Sequence, residues 1–283
     1  MGALWTAVMA SALGAVYVGL AFRLPPDLSL NLVTFLAGAL LLLLERIAPE
    51  QPEWMGRNPD LWQDLGHFVF GFALGAFGGA ALAQWAVPTP LWSMWPIAWP
   101  VLGQAVLGVI LAEFFMYWQH RALHTVPALW HIHVLHHGTT RMRFFKTTRI
   151  HAVDIGSNTF LAIAPLLALG APLDVILWVT AFGNFAAQLQ HANVRLRTPG
   201  WINAIVGTPA VHWLHHSIDK REGNSNFGMN VMLWDHLFGT FVPPAAQPQT
   251  TLGIDPNPIP ATFVGQLLLP LRTIRDLMRR TQP

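Results

Sequence analysis

The sequence predicts an all-α integral membrane protein, with about four transmembrane helices plus a hairpin and a cytoplasmic helical cap that carries a histidine-rich dimetal site. Three observations support this fold class. Charged residues make up only 11% of the chain, against about 25% in soluble domains. Apolar runs recur at the length of roughly 20 residues that a helix needs to cross a bilayer. Twelve of the thirteen histidines lie between positions 120 and 236.

The apolar runs follow one another along the chain. No basic segment precedes the first, so we expect a retained transmembrane helix rather than a cleaved signal peptide. Gly170-Ala171-Pro172 separates the last two runs, which we expect to form a hairpin whose first arm is short for a complete crossing. The predicted spans cover residues 3–22, 28–47, 64–87 and 101–119, and the hairpin arms cover residues 155–169 and 173–189.

The distribution of charge sets the expected orientation. Thirteen of the sixteen lysines and arginines lie at or after Arg121, and basic loops favour the cytoplasmic side of a membrane. Trp92, Trp95 and Trp99 lie between two spans and are typical of an aromatic belt on the other side. We therefore expect the polar residues 192–241 and every histidine cluster on the cytoplasmic side. The formal net charge of +2 is too small to indicate a nucleic-acid partner.

The chain contains no cysteine. Disulfides, iron–sulfur clusters, thiolate zinc sites and cysteine nucleophiles are therefore excluded. Imidazole is the commonest side-chain metal ligand because it is neutral near pH 7 and offers a nitrogen lone pair. A metal site in this chain is expected to be built from histidine.

The histidines form three clusters with helical spacing. His120 and His124 are four residues apart, so they share one face of a helix. Two triplets then repeat the spacing i, i+3, i+4. One transition metal takes about four to six ligands, so eight aligned imidazoles predict two metals. The eight are His120, His124, His133, His136, His137, His212, His215 and His216.

Three further histidines have an ordinary structural explanation. His131 lies two residues before His133, which turns it about 200° away on a helix. His67 and His236 stand apart from the clusters. An isolated histidine is more often a hydrogen-bonded structural residue than a ligand, so we predict structural roles for these three.

Short motifs surround the clusters. Tyr117-Trp118-Gln119-His120-Arg121 opens the first, and the clusters then read H-x-x-x-H, H-x-x-H-H and H-x-x-H-H. Asn226-Phe227-Gly228 and the stretch from Trp234 to Thr240 follow the third. Over residues 110–241 these motifs resemble the fatty acid hydroxylase / sterol desaturase superfamily, the membrane di-iron oxygenases with histidine boxes. We expect a division into N-terminal transmembrane helices (1–100), a fatty acid hydroxylase-like catalytic domain (101–242), and a Pro-rich linker with a C-terminal amphipathic helix (243–283), the helix itself covering residues 261–281.

The resemblance implies that all eight clustered histidines are metal ligands, and it adds two more. The family's R-x-H-P stretch corresponds to Arg149-Ile150-His151-Ala152, and a histidine after the last span corresponds to His191. Two positions depart from the family pattern. Ala152 replaces the proline of R-x-H-P, and His236 replaces the arginine that follows the aspartate in the motif from Trp234 to Thr240.

Carboxylates are expected around the ligands, because a ligating histidine usually donates its other N–H to one. The candidates are Glu113, Asp154 and Asp235. Glu113 is preferred because it shares a helix face with His120 and a carboxylate near the end of a span is costly without a partner.

The resemblance implies two iron ions, with zinc as a redox-inert substitute in a purified sample, and no catalytic residue beyond the metal ligands. It implies an O2-dependent hydroxylation or desaturation of a membrane lipid, whether sterol, fatty acyl or related. Because the chain has no nucleotide- or haem-binding motif, a separate reductase with a ferredoxin or cytochrome is the expected electron donor. The basic run from Arg141 to Arg149 either holds an anionic head group or only sets the orientation.

Two other functions remain as alternatives. A histidine-lined metal transporter places its ligands near the bilayer midplane, whereas these clusters follow the spans. A zinc-dependent membrane hydrolase needs an acidic base near the metal, as in H-E-x-x-H, and the sequence has no such motif.

Overall fold

The computed structural model describes residues 26–271, together with residues 10, 11, 14 and 17. Within these residues the chain is helical and has no strand, only the isolated bridges Val206–Val231 and Ser217–Leu252. Four of the described helices are long and apolar enough to cross a membrane, which confirms the predicted all-α membrane fold. They are α1 (Pro26–Ile47), α2 (Leu61–Ala86), α3 (Val101–Thr125) and α5 (Ala152–Leu169).

The remaining helices build the ends of the bundle. α4 (Pro127–His137) follows α3, α6 (Leu173–His191) follows α5, and short helical turns occupy Pro52–Met55 and Phe144–Thr148. Past α6 the helices are short: α7 (Gly200–Asn203), α8 (Pro209–His215), α9 (Lys220–Gly223), α10 (Leu233–Phe238) and α11 (Phe263–Leu267). The predicted span at residues 3–22 lies outside the described residues, apart from the isolated positions above, and so does the part of the predicted amphipathic helix (residues 261–281) that follows residue 271.

α3 extends further than the apolar run predicts. The run ends at residue 119, but the helix continues to Thr125 and carries His120 and His124 in its last two turns. It ends at Val126, which is extended because the residue before a proline avoids the α conformation. Pro127 then occupies the first turn of α4.

α5 and α6 form the predicted hairpin. Gly170 has a left-handed backbone (φ 84°), which ends α5 and which glycine adopts without steric cost. By length and composition α5 suffices for a complete crossing, so this arm is not too short.

Small residues bring α2 and α5 into close contact. A side chain at Gly79 would overlap the backbone oxygen of Gly156, and one at Gly75 would lie 2.8 Å from Ile155. Such close approach is how helices associate where lipid removes the hydrophobic driving force. α2 has π-helical geometry at Gly71–Ala76, beside this contact.

Apolar clusters hold the other helices together. α3, α5 and α6 meet around Met116, Leu166 and Val175, while α1 meets α6 around Leu41 and Phe185. Trp95 is buried, and its indole N–H donates to Gln104 at 2.8 Å. It is therefore a core residue, while Trp92 and Trp99 are exposed as an aromatic belt requires.

A buried ion group joins α2 to the loop after α4. Lys146 and Arg149, each with a 5% exposed side chain, pair with Asp64 at 2.8 and 3.2 Å. Arg149 also pairs with Asp60 at 2.7 Å. These two cations of the basic run are thus paired inside the protein, whereas Arg141 is exposed.

Candidate metal centre

The structure brings together nine of the ten histidines that the sequence nominates. They fall into two groups, and within each group one side-chain nitrogen of every member lies within 4.8 Å of those of the others. The five-histidine group consists of His120, His124, His133, His137 and His215. The four-histidine group consists of His136, His191, His212 and His216.

Backbone oxygens fix the proton position of two rings in the five-histidine group. The Nδ1 atom of His120 lies 2.8 Å from the oxygen of Phe227, and that of His215 lies 2.7 Å from the oxygen of Ser225. A carbonyl oxygen only accepts, so Nδ1 carries the ring proton in both. The Nε2 atom of each neutral ring therefore keeps its lone pair.

These lone pairs point at one another. The Nδ1 of His133 donates to Asp154 at 2.6 Å, so the Nε2 of the neutral His133 ring keeps its lone pair as well. The Nε2 of His120 lies 3.0 Å from that of His133 and 3.1 Å from that of His215. Three lone pairs at this distance, with no proton between them, repel one another unless a cation lies among them.

The four-histidine group converges in the same way. The Nδ1 of His191 donates to the backbone oxygen of Ala187 at 2.7 Å. Its Nε2 lies 2.9 Å from the Nε2 of His212 and 3.2 Å from that of His136. His216 closes the ring of contacts, with its Nε2 3.1 Å from His212 and 3.2 Å from His136.

Burial keeps the rings neutral. Removal from water disfavours the charged imidazolium, and the neighbouring histidines add to this effect. The pKa is lowered well below the ordinary histidine value for His136, His137, His212 and His216, and to about 3 for His215. At neutral pH these rings therefore offer lone pairs rather than protons.

The residues fit a pair of metal ions. Each group supplies several imidazole nitrogens, and among the described residues four buried ring nitrogens have no hydrogen-bond partner: His124 Nε2, His136 Nδ1, His137 Nε2 and His216 Nδ1. The rings of His137 and His216 stack at 4.3 Å, so the two groups are adjacent. An all-nitrogen donor set suits several transition metals by ligand type.

His151, the tenth nominated histidine, lies outside both groups. Its Nε2 donates to the backbone oxygen of Leu267 at 3.1 Å, and its Nδ1 accepts from the N–H of Val153 at 3.3 Å. Both nitrogens are therefore engaged where α5 begins, and the ring acts there as the N-terminal cap.

The three histidines with predicted structural roles also lie outside the two groups. His67 contacts the side-chain oxygen of Gln266 at 2.9 Å, and His236 contacts the backbone oxygen of Ala204 at 2.8 Å. His131 is partly exposed on α4.

The three nominated carboxylates have different partners. Asp154 accepts directly from His133. Asp235 accepts from the backbone N–H groups of Phe227 and Gly228 at 2.8 and 2.7 Å. It therefore acts on His120 through the loop and not by contact.

Glu113, the preferred candidate, does not bond to a histidine among the described residues. It accepts from the backbone N–H of Met229, and from the backbone and side-chain N–H groups of Asn230 at 3.0 and 2.8 Å. Glu113 and Asp235 thus hold neighbouring parts of one loop.

Sequence reasoning missed the loop from Ser225 to Asn230. Its backbone oxygens orient His120 and His215, and the N–H groups of residues 227–230 are held by the two buried carboxylates. The signal available was the Asn226-Phe227-Gly228 motif, but a backbone acceptor cannot be recognised from side-chain identity.

Comparison with known proteins identifies the family. The fatty acid hydroxylase family matches residues 105–240. The chain is 36% identical to Ornithine lipid hydroxylase OlsE of Rhizobium tropici over 279 residues, which cover 94% of this chain and 82% of the relative. It is 30% identical over 157 residues to Fatty acid hydroxylase vlmA of Lecanicillium sp, covering 50% of this chain and 42% of the relative.

More distant similarity extends to an animal enzyme. The chain is 29% identical over 137 residues to Alkylglycerol monooxygenase of Homo sapiens, covering 48% of this chain and 29% of the relative. No solved structure matches. With its histidine groups, its spanning helices and these relatives, the chain belongs to the fatty acid hydroxylase family and is a membrane oxidoreductase that acts on lipids.

Proposed function

We propose that this chain is a membrane-bound di-iron oxygenase that hydroxylates an unactivated C–H bond of a lipid, using O2 and external electrons. The observation that carries the proposal is the convergence of nine imidazoles in two adjacent groups. The donor set itself accommodates several metals, and membership of the oxygenase family favours iron.

The five-histidine and four-histidine groups would each hold one iron. When bound, the iron pair supplies the reduction of O2 by which one oxygen atom enters the C–H bond and the other leaves as water, with two electrons and two protons consumed. The chain supplies the surroundings: Asp154 and the loop oxygens hold the rings in the tautomer that binds metal. Burial of the rings keeps bulk water away from them.

The proposed substrate is a membrane lipid with an amino-acid head group. OlsE is named for ornithine lipid, and this chain covers most of its length. The relatives named for other lipids align with about half of the chain. Electrons are proposed to come from a separate reductase with a ferredoxin or cytochrome. Desaturation of the same lipid is the alternative outcome.

The metal centre is proposed to lie on the cytoplasmic side, in a catalytic region that spans residues 101–242. The support is the charge distribution, since most lysines and arginines lie at or after Arg121. Orientation is tested separately below.

The proposal is tested with purified protein reconstituted with Fe(II). We expect about two irons per chain, and a lipid product heavier by one oxygen atom when ornithine lipid, O2 and a reductase system are supplied. His136→Ala should lose metal and activity together, because a member of the four-histidine group is removed. His131→Ala is the matched control, since it lies on the same helix outside both groups.

Three results would count against the proposal. Full iron binding and activity in His136→Ala would remove its role as a ligand. Turnover that continues without O2 would favour hydrolysis. Metal uptake into sealed vesicles would favour the transporter.

A further inference from the structure

Residues 227–241 run alongside the middle of α3. The indole N–H of Trp234 donates to the backbone oxygen of Ile110 at 3.1 Å. Its ring packs on that of Phe114 with centroids 4.8 Å apart, and the ring of Phe238 lies 5.4 Å from that of Tyr117. α10 therefore contacts α3 over residues 110–117.

For a membrane crossing that begins at Val101, that part of α3 falls at the depth of the bilayer core. With a rise of about 1.5 Å per residue, Ile110 lies about 14 Å and Tyr117 about 24 Å along the helix from Val101. The hydrocarbon core is about 30 Å thick. α3 begins at Val101, directly after the exposed interfacial residue Trp99 and Pro100. α10, packed beside residues 110–117, shares their depth.

The polar side chains of Asp235, His236 and Thr240 form hydrogen bonds within the protein. Asp235 accepts from Phe227, Gly228 and the hydroxyl of Thr240, the last at 2.6 Å. The His236 ring contacts the backbone oxygen of Ala204 at 2.8 Å. Polar groups at membrane depth need partners other than water, and these side chains have them.

The outward side chains of α10 are mostly apolar. Leu237 is 63% exposed, and Leu233 and Phe238 are also exposed. α7 extends this apolar surface, because Met232 donates through its backbone to the oxygen of Ile205, which is exposed next to α7. The surface continues the lipid-facing side of α3, where Phe115 and Trp118 are exposed.

We propose that α10 and its flanking residues are a re-entrant segment of the membrane, with Leu233, Leu237 and Phe238 against lipid acyl chains. The sequence places residues 192–241 entirely in the polar cap, whereas the structure places this segment beside a span. The loop that orients His120 and His215 is continuous with it, so the histidine groups border the hydrocarbon core. The proposal is independent of the metal and of the reaction.

The test uses the absence of cysteine from the chain, which makes single-cysteine variants specific. The full-length variants Leu237→Cys, Val106→Cys and Lys220→Cys are spin-labelled in liposomes. We expect the label at 237 to be accessible to O2 and shielded from a water-soluble nickel reagent, like the label on the spanning helix α3 at 106. The label at 220, on exposed α9, should show the reverse.

A label at 237 that behaves like the label at 220 would overturn the proposal. Shielding from both reagents would also overturn it, because that result means protein and not lipid covers the surface. If Leu237→Cys fails to fold, Leu233→Cys on the same helix gives the same reading. Normal metal content and helical circular dichroism establish that each variant is folded.

Discussion

Asp154 shows how one side chain determines the chemistry of another. It accepts from the Nδ1 of His133 at 2.6 Å and is buried where α5 begins. The acceptor fixes the ring proton on Nδ1 and leaves Nε2 free toward the five-histidine group. A carboxylate in this position both orients a ligating ring and raises its basicity.

Asp154→Asn should therefore weaken metal binding. The amide loses the negative charge while keeping the size, and we expect roughly a 10- to 100-fold loss of metal affinity. Iron titration of the apoprotein measures it. Asp174→Asn is the matched control, because Asp174 is exposed in the first turn of α6. Equal affinities in the two variants would show that the Asp154 contact is incidental.

At His151 the position in the structure disagrees with the role that the motif predicts. Its motif resembles a ligand position, yet both its ring nitrogens bond at the start of α5. The difference is one of direction, since the ring points to the N–H of Val153 and the oxygen of Leu267. Spacing along the chain carries no information on that choice.

At the scale of elements, the loop from Ser225 to Asn230 links two buried carboxylates to the rings of His120 and His215. Gly228 is tightly enclosed there, because an added Cβ would lie 2.5 Å from the oxygen of Val231 and 2.6 Å from Asp235. Any side chain at this position must displace the loop.

Gly228→Ala should lower the metal content of the five-histidine group, leaving roughly one metal per chain, because displaced loop oxygens no longer orient the ring of His120. Metal analysis of the purified variant measures this. Gly56→Ala is the control, since an added Cβ there meets nothing within 4 Å. Two metals per chain in both variants would contradict the proposed role of the loop.

The contact between α2 and α5 gives a prediction about stability. Gly79→Ala inserts a methyl group against the backbone of Gly156 and should destabilise the fold by about 1–3 kcal/mol. The adjacent Gly78→Ala has open space and should be neutral or stabilising by up to about 1 kcal/mol. Thermal unfolding in one detergent compares them. Equal melting temperatures would show that the helices do not pack this closely.

At the scale of the whole molecule, the ion group of Asp60, Asp64, Lys146 and Arg149 ties the loop after α4 to α2. These ion pairs hold in place the segment that connects the second histidine cluster to α5. Buried charges of this kind are costly when one partner is lost, so loss of Asp64 would leave Lys146 and Arg149 without that partner inside the protein.

Orientation is also a property of the whole molecule. Exposed positions at opposite ends of the bundle should differ in access from outside the cell. We expect Arg141→Cys to react with a membrane-impermeant maleimide only after the membrane is permeabilised. Ser93→Cys should react while the membrane that contains the protein is still sealed, once any layer outside that membrane has been removed. The opposite pattern would place the histidine groups outside the cytoplasm.

The sequence by itself predicted the fold class and most of the histidines that lie in the two groups. Apolar run length is set by bilayer thickness, and helical spacing aligns rings within one segment; both are local properties. The histidine spacing therefore identified eight members of the two groups, and the family motif added His191.

Only the tertiary structure determined how the histidines of each sequence cluster are divided between the five-histidine group and the four-histidine group. His136 and His137 are adjacent in the chain but belong to different groups, and His215 and His216 are separated in the same way. The structure also decided that Glu113 holds a loop, that His151 caps a helix and that α10 lies beside α3. The physical reason is that these choices depend on side-chain direction and on contacts between distant segments, which a linear pattern does not encode.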